Sequence, residues 1–340
     1  MSTSTDASQD NVLLTQDVVS LVLEQIGGLR CLASAARACR ALRDGAAAKV
    51  LEWRVLHVQG SFGTQGAKLG ELYCPNFVTT LPQGILVSDS SNCRLQLFSS
   101  EGTPLRTIGK FGIGEDQFHP RGTVSDGTAL WVADTNRHRV QKLCLSDGSL
   151  LSSVGSCGSG KGHLSCPSGL ALAGSTLAVT DASNHRIVLL NAKTMEWRSA
   201  FGERGSAPGQ FNRPSDLAAL DGTLLVVDTF NHRVQVFTQQ GDFLRWFGGK
   251  GALPGQLQRP QGIAVSGGRV IVSECDGHRL QVLTPQGHPL QVLPLSFSTS
   301  LCGLCVHEHT QTLFAADFGK HVVHRIDVRR PRPHAASWLR

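Results

Sequence analysis

One unit, repeated six times, limits what this chain can become. An acidic residue closes a short apolar run at Asp89, Asp134, Asp181, Asp228, Glu274 and Asp317, spaced 45, 47, 47, 46 and 43 residues apart. In the clearest copy, Leu225-Val226-Val227 ends at Asp228 and a polar turn runs from Thr229 to His232. Arg233 to Phe237 then alternates polar and apolar residues, the pattern of a half-buried strand. Gln239 to Asp242 carries turn chemistry, with Gly241 free to take positive φ. Phe243 to Phe247 predicts another strand, and a glycine-rich loop leads on to Pro260.

The other copies keep this phase. After the acid come Asn92-Cys93-Arg94-Leu95, His138-Arg139-Val140, Asn184-His185-Arg186-Ile187, Asn231-His232-Arg233-Val234, His278-Arg279-Leu280 and a degraded His321-Val322-Val323. The loops from Phe62 to Pro75, Val154 to Pro167, Phe201 to Pro214 and Phe247 to Pro260 share one length, and Gly109 to Pro120 is a shorter version. A repeat of about 40–50 residues with four strands is the signature of a propeller blade. The chain is therefore expected to be mainly β, a six-bladed β-propeller with a small N-terminal helical module. Composition agrees: 17% charged residues and 37 glycines in 340 suit many short strands joined by tight turns.

The two ends differ from the repeats. Residues 1–10 are expected to be a disordered tail, 11–52 a helical module, 53–328 the propeller and 329–340 a second tail. Val18, Leu21, Val22 and Ile26 fall at helical spacing, Thr15 can cap, and Asp17 sits where a negative charge favours the helix dipole. Gly27-Gly28 stops this helix, and Leu29, Leu32, Ala36, Cys39 and Leu42 form a second. So small a bundle is marginal alone, so it is either a cap on the propeller or a docking module with a free apolar face. Residues 53–58 are expected to complete the last blade. Its repeat, Leu301 to Val328, holds only three strands, and Arg329 to Pro333 cannot extend a ladder.

The residues that tempt a catalytic reading recur too often. Asp134 with Arg139, Asp181 with Arg186, and Asp228 with Arg233 flank the same turn, so they are expected to pair and hold it. His138, His185, His232 and His278 would be spread round a ring, too far apart to share a metal. Cys302 and Cys305 overlay an inner-strand position and lack a second pair at zinc spacing, so structural thiols are expected. Hydrolase and phosphate-loop motifs are absent. No catalysis, cofactor or metal is expected.

Charge says more. The turn after the acid and the loop between blades lie on one face of a propeller. Those loops supply the basic residues Lys68, Lys110, Arg121, Lys161, Arg204, Arg213, Lys250 and Arg259 against the acids Glu71, Glu115, Asp116 and Glu203. Eight against four leaves a positive face, suited to an acidic peptide or to phosphates. Aromatics there look few, Phe230 being one, which weakens base stacking. The net charge is +6, no apolar run approaches a membrane span of about 18 residues, and the N-terminus lacks a secretory apolar core. Ten cysteines without such a leader fit a reducing compartment, so a cytoplasmic or nuclear protein without a membrane partner, monomeric as a propeller, is expected.

Two resemblances add to this reading. Pro167-Ser168-Gly169-Leu170-Ala171 and Pro260-Gln261-Gly262-Ile263-Ala264, with the acid-ended strand and the Asn-His-Arg turn, resemble the NHL-repeat family over residues 60–328. That resemblance implies a propeller serving as a platform for protein or RNA, with a minority lyase branch that binds metal in the central channel. Leu14-Thr15-Gln16-Asp17-Val18-Val19, Ala38-Cys39-Arg40 and Glu52-Trp53-Arg54 resemble an F-box. That resemblance implies docking to a cullin-type ligase adaptor through Leu14, Asp17, Val18, Val22, Leu23, Ile26, Leu32 and Cys39. The chain is thus expected to be a non-catalytic scaffold, the substrate-recognition subunit of a ubiquitin ligase that binds a protein substrate. The alternatives are an RNA-binding propeller and, behind it, a metal-dependent amidating-lyase-like enzyme.

Overall fold

The computed structural model describes residues 57–109, 118–295 and 300–328. The helical module expected over 11–52, with its docking residues, lies outside the described residues, as do both tails and Lys110. What is described is a ring of six four-stranded antiparallel sheets.

Strand β1 (His57–Phe62) comes first in the chain. Blade 1 is then β2 (Pro75–Leu81), β3 (Gly84–Asp89), β4 (Arg94–Phe98) and β5 (Pro104–Ile108). Blade 2 is β6 (Pro120–Ser125), β7 (Ala129–Asp134), β8 (Arg139–Cys144) and β9 (Leu150–Val154). Blade 3 is β10 (Pro167–Ala173), β11 (Thr176–Asp181), β12 (Arg186–Asn191) and β13 (Trp197–Phe201). Blade 4 is β14 (Pro214–Leu220), β15 (Thr223–Asp228), β16 (Arg233–Thr238) and β17 (Phe243–Gly248). Blade 5 is β18 (Pro260–Ser266), β19 (Arg269–Glu274), β20 (Arg279–Leu283) and β21 (Pro289–Pro294). Blade 6 is β22 (Leu301–His307), β23 (Thr312–Asp317) and β24 (Val322–Asp327).

The sixth blade borrows its outer strand from the other end of the chain: β1 pairs with β24, from His57 opposite Asp327 to Phe62 opposite Val323. Of the expected closing segment, 53–58, His57 and Val58 lie in this strand, which runs on to Phe62, and 53–56 lie outside the described residues. Phe62 belongs to the strand rather than to the loop after it. Its ring packs 4.8 Å from Phe98 of blade 1 and 6.3 Å from Phe314 of blade 6, as Phe201 packs on Phe211 and Phe237 at the seam of blades 3 and 4. Where an aromatic precedes the loop glycine, as at Phe62 and Phe201, its ring fills the gap between neighbouring sheets.

Side chains from adjacent blades interleave to make the core. Trp131 and Val140 of blade 2 lie against Leu170, Val179 and Val188 of blade 3, and Leu225 and Val236 of blade 4 against Ile263 and Val272 of blade 5. At the centre the innermost strands touch in a closed circuit, β2 to β6, β10, β14, β18, β22 and back to β2. Glycine at the third position of four of these strands (Gly122, Gly169, Gly262 and Gly303) permits that approach. A Cβ at Gly122 would lie 2.2 Å from the Ser168 carbonyl oxygen, and one at Gly262 2.2 Å from that of Cys302. Hydroxyls tie the same seam: Ser88 donates to the Arg121 carbonyl at 2.6 Å and Ser273 to that of Cys302 at 2.7 Å.

Candidate functional site: the loop face and the axis

Each acid that ends a second strand is fully buried and surrounded by donors. Asp228 accepts from Arg233 Nε at 2.8 Å, Asn231 at 2.9 Å, Gln235 at 3.1 Å and the Asn212 backbone N–H at 2.7 Å. Arg233 also donates to the carbonyls of Ala207 and Gln210, and Asn231 to that of Gly205. One carboxylate therefore fastens the turn to the preceding inter-blade loop. Asp89 with Arg94, Asp134 with Arg139, and Asp181 with Arg186 repeat the ion pair at 2.7–2.8 Å. Glu274 pairs with Arg279 at 2.7 Å, its longer side chain fitting because Gly277 stands where Asn231 stands in blade 4. In blade 6, His324 faces Asp317 at 3.1 Å.

Two parts of this network are not legible as such in the sequence. Gln96, Gln235 and Gln281 are fully buried and bridge the acid to the loop, each also accepting a glycine N–H, from Gly70, Gly209 and Gly255. The recurring Arg-x-Gln (Arg94, Gln96; Arg233, Gln235; Arg279, Gln281) was the available signal. The second is the bond made by the turn histidine, whose recurrence the sequence did show. His138, His185, His232 and His321 sit at φ of 55–59°, in the left-handed region. Their Nδ1 atoms accept the backbone N–H of Cys166, Arg213, Arg259 and Cys74 at 3.0–3.1 Å. Each bond crosses from one blade to the next, and His321 to Cys74 closes the ring.

An Nδ1 that accepts must be unprotonated. Burial first, then the charges of Arg204 and Arg213, hold His185 below the ordinary imidazole value; burial, then Lys250 and Arg259 with Asp276 opposing, do so for His232. Because the unfolded chain takes up these protons more readily, stability falls as pH drops below about 6.5 and levels once the folded pKa is passed. Each lost bond costs about 1 kcal/mol. The thermal midpoint is thus expected to fall less between pH 7 and 5 in a His185→Asn/His232→Asn variant than in the native chain. Equal falls would show that these bonds do not titrate. Asp216 works in the opposite direction, losing stability as pH rises from 3.8 towards about 7, but it is common to both proteins.

With acids, arginines and histidines engaged in holding the blades, the inter-blade cations stand apart. Lys161, Arg204, Arg213 and Lys250 make no side-chain hydrogen bond or ion pair among the described residues. The structure gathers some of them: Arg204 with Arg213 around His185, and Lys250 with Arg259 around His232. Lys161 lies at the seam of blades 2 and 3, away from both pairs. Arg259 is partly engaged, 3.1 Å from Asp276 and 5.4 Å above the Phe230 ring. Tyr73 and Phe318 are exposed alongside Phe230, so this face is more aromatic than expected. Tyr73 stacks 5.2 Å from His321.

Arg121 is not a loop residue, as its neighbours in sequence imply, but the second residue of the innermost strand β6. The matching positions carry Asn76, Ser168, Ser215, Gln261 and Cys302. Its charge acts on Asp216 of blade 4 and on Cys302 of blade 6. Asp216 takes one of the glycine positions, and its carboxylate accepts the N–H of Ile263 at 2.9 Å and of Leu217 at 2.8 Å. It fits because a Cβ on Gly169 opposite, which would lie 2.7 Å from Oδ1, is missing. Burial pushes this carboxyl up to about 7, against the two N–H groups and Arg121. Burial also pushes the Cys302 thiol up to about 12 and raises Cys305, so neither is a thiolate at neutral pH. Among the described residues no three His, Cys, Asp or Glu side chains converge as a metal site, and no helix is long and apolar enough to cross a membrane.

Residues 211–237 and 257–283, within blades 4 and 5, match the NHL repeat. No curated protein matches the chain. Among solved structures, a catalytically inactive virginiamycin B lyase from Staphylococcus aureus with quinupristin is 18% identical, with a TM-score of 0.56 over 78% of this chain and 82% of that one. A streptogramin B lyase is 13% identical, with a TM-score of 0.57 over 81% of this chain and 98% of that one. A protein of unknown function from Bacteroides thetaiotaomicron is 16% identical, with a TM-score of 0.59 over 79% of this chain and 75% of that one. At such identities the likeness is one of fold.

Proposed function

We propose that the chain is a non-catalytic recognition subunit, whose propeller holds a protein substrate on its loop face while residues 11–52 dock it to a ubiquitin-ligase adaptor. The observation that carries the platform half is the division of labour among charged groups. The repeated acids, arginines and histidines are spent within and between blades, whereas Lys161, Arg204, Arg213 and Lys250 face outward unpaired among the described residues. Loops on a rigid scaffold are the usual seat of binding. The docking half rests on the F-box resemblance. Affinity capture with the full chain tests both. Val22→Asp or Ile26→Asp is expected to abolish recovery of a cullin adaptor, and Arg204→Glu/Arg213→Glu to lose the substrate while keeping the adaptor. Recovery of no adaptor by the native chain rejects the ligase role.

RNA binding is the second reading, favoured by exposed Tyr73, Phe230 and Phe318 on the face that carries the cations. It predicts retention that falls steeply with salt. A lyase activity has weaker support: its fold is shared, but among the described residues no metal-binding group converges.

A further inference from the structure

Among the described residues, the innermost strands carry one arginine whose side chain has no hydrogen-bond or ion-pair partner, Arg121. Arg121 lies in blade 2, yet its field registers on Asp216 and on Cys302, each two blades away on opposite sides. Arg121 is the second residue of β6, one of the six innermost strands that touch in a closed circuit. Its side chain makes no hydrogen bond or ion pair among the described residues, although its backbone carbonyl is held by Ser88. The nearby acid cannot serve as its partner: Asp216 is buried and its oxygens already accept two backbone N–H groups. The other residues at this level of the innermost strands (Asn76, Ser168, Ser215, Gln261 and Cys302) are uncharged. The half-buried Arg121 is thus the one cation at this level of the innermost strands among the described residues.

We propose that Arg121 is the receptor for one carboxylate of the bound protein, so that the partner is recognised through an acidic residue inserted along the axis. This rests on the platform reading above and narrows it to a substrate class. A planar carboxylate matches the guanidinium fork. One monoanion balances the one cation, whereas a phosphate dianion would leave charge unmatched in a partly desolvated place. The cations Arg204, Arg213, Lys250 and Arg259 then steer the acidic segment and Arg121 seats it.

The test uses the full chain at low salt and acetylated, amidated tetraglutamate as the probe, followed by isothermal titration. Tetraglutamate is expected to bind and tetraglutamine to give no heat. Arg121→Gln is expected to lower the affinity at least tenfold with an unchanged thermal midpoint, and Arg121→Lys to fall between. Acetyl-tetra-alanine with a free carboxyl end distinguishes a chain-terminal carboxylate, if it competes, from a side-chain one, if it does not. Unchanged affinity in Arg121→Gln, no binding of tetraglutamate, or tighter binding of inorganic phosphate overturns the assignment. If Arg204→Glu/Arg213→Glu abolishes binding while Arg121→Gln does not, the axial receptor fails and the platform stands. If neither variant changes binding, both fail.

Discussion

Removing residues 1–62 is expected to cost the protein its single cooperative unfolding transition, whereas removing 1–56 leaves it. The difference is β1. Without it β24 becomes an open edge, whose unpaired N–H and C=O groups recruit other chains. Blade 6 also loses Phe62, which is buried against Phe98 and Phe314 at the join with blade 1. The point substitution Phe62→Ala isolates the second effect. Truncating a buried phenylalanine costs about 3–5 kcal/mol, or roughly 6–20 °C in thermal midpoint for a domain of this size. Calorimetry and size-exclusion chromatography read both effects. A 1–62 deletion that stays monomeric with the midpoint of the 1–56 deletion would show that blade 6 stands on three strands.

Asp228→Ala is expected to be about as damaging, although it touches no apolar core. The substitution leaves Arg233, with a side chain only 7% exposed, without its carboxylate. It also strands Gln235, Asn231 and the Asn212 N–H. Breaking a buried ion pair by removing one partner costs about 3–5 kcal/mol, because the remaining charge stays desolvated. Asp276→Ala provides the contrast. Its pair with Arg259 is 50% and 37% exposed and is expected to matter by less than about 1 kcal/mol. Denaturant unfolding of the two variants ranks them. Equal losses would mean that the Asp228 network does not act through burial.

The sequence made the ring legible because a phase-locked repeat is global information carried by local residues. The acid-to-arginine pairing could be inferred from recurrence alone, since both partners lie on one turn. What escaped depends on contacts between repeats. Nothing in Asn231-His232-Arg233 indicates that the imidazole accepts an N–H contributed 27 residues later by Arg259. Arg121 was grouped with loop cations because it follows Pro120, but the proline begins the strand and puts its neighbour at the axis. Nothing local assigns Phe62 to the closing strand either, because the rings it packs on, Phe98 and Phe314, lie in other repeats.

The NHL pattern matches over 211–237 and 257–283. The acid, histidine, arginine and glutamine of those copies are also all present in blade 2 (Asp134, His138, Arg139, Gln141), so these four residues alone do not decide the match. Blade 1 has Cys93 at the histidine position, blade 3 has Val188 at the glutamine position, and blade 6 has Val322 at the arginine position. The fold tolerates these losses because each blade is held by several such bonds at once.

Pairing β1 with β24 also imposes an order on biosynthesis. At translation rates of about 5–20 residues per second, the interval between the emergence of Phe62 and that of Val322 is roughly 13–50 s. Throughout it the first strand has no mate, and five complete blades can assemble as an open arc beside it. Nascent chains stalled before Val322 are therefore the ones expected to engage chaperones, and release of the final strand is the step that lets them go.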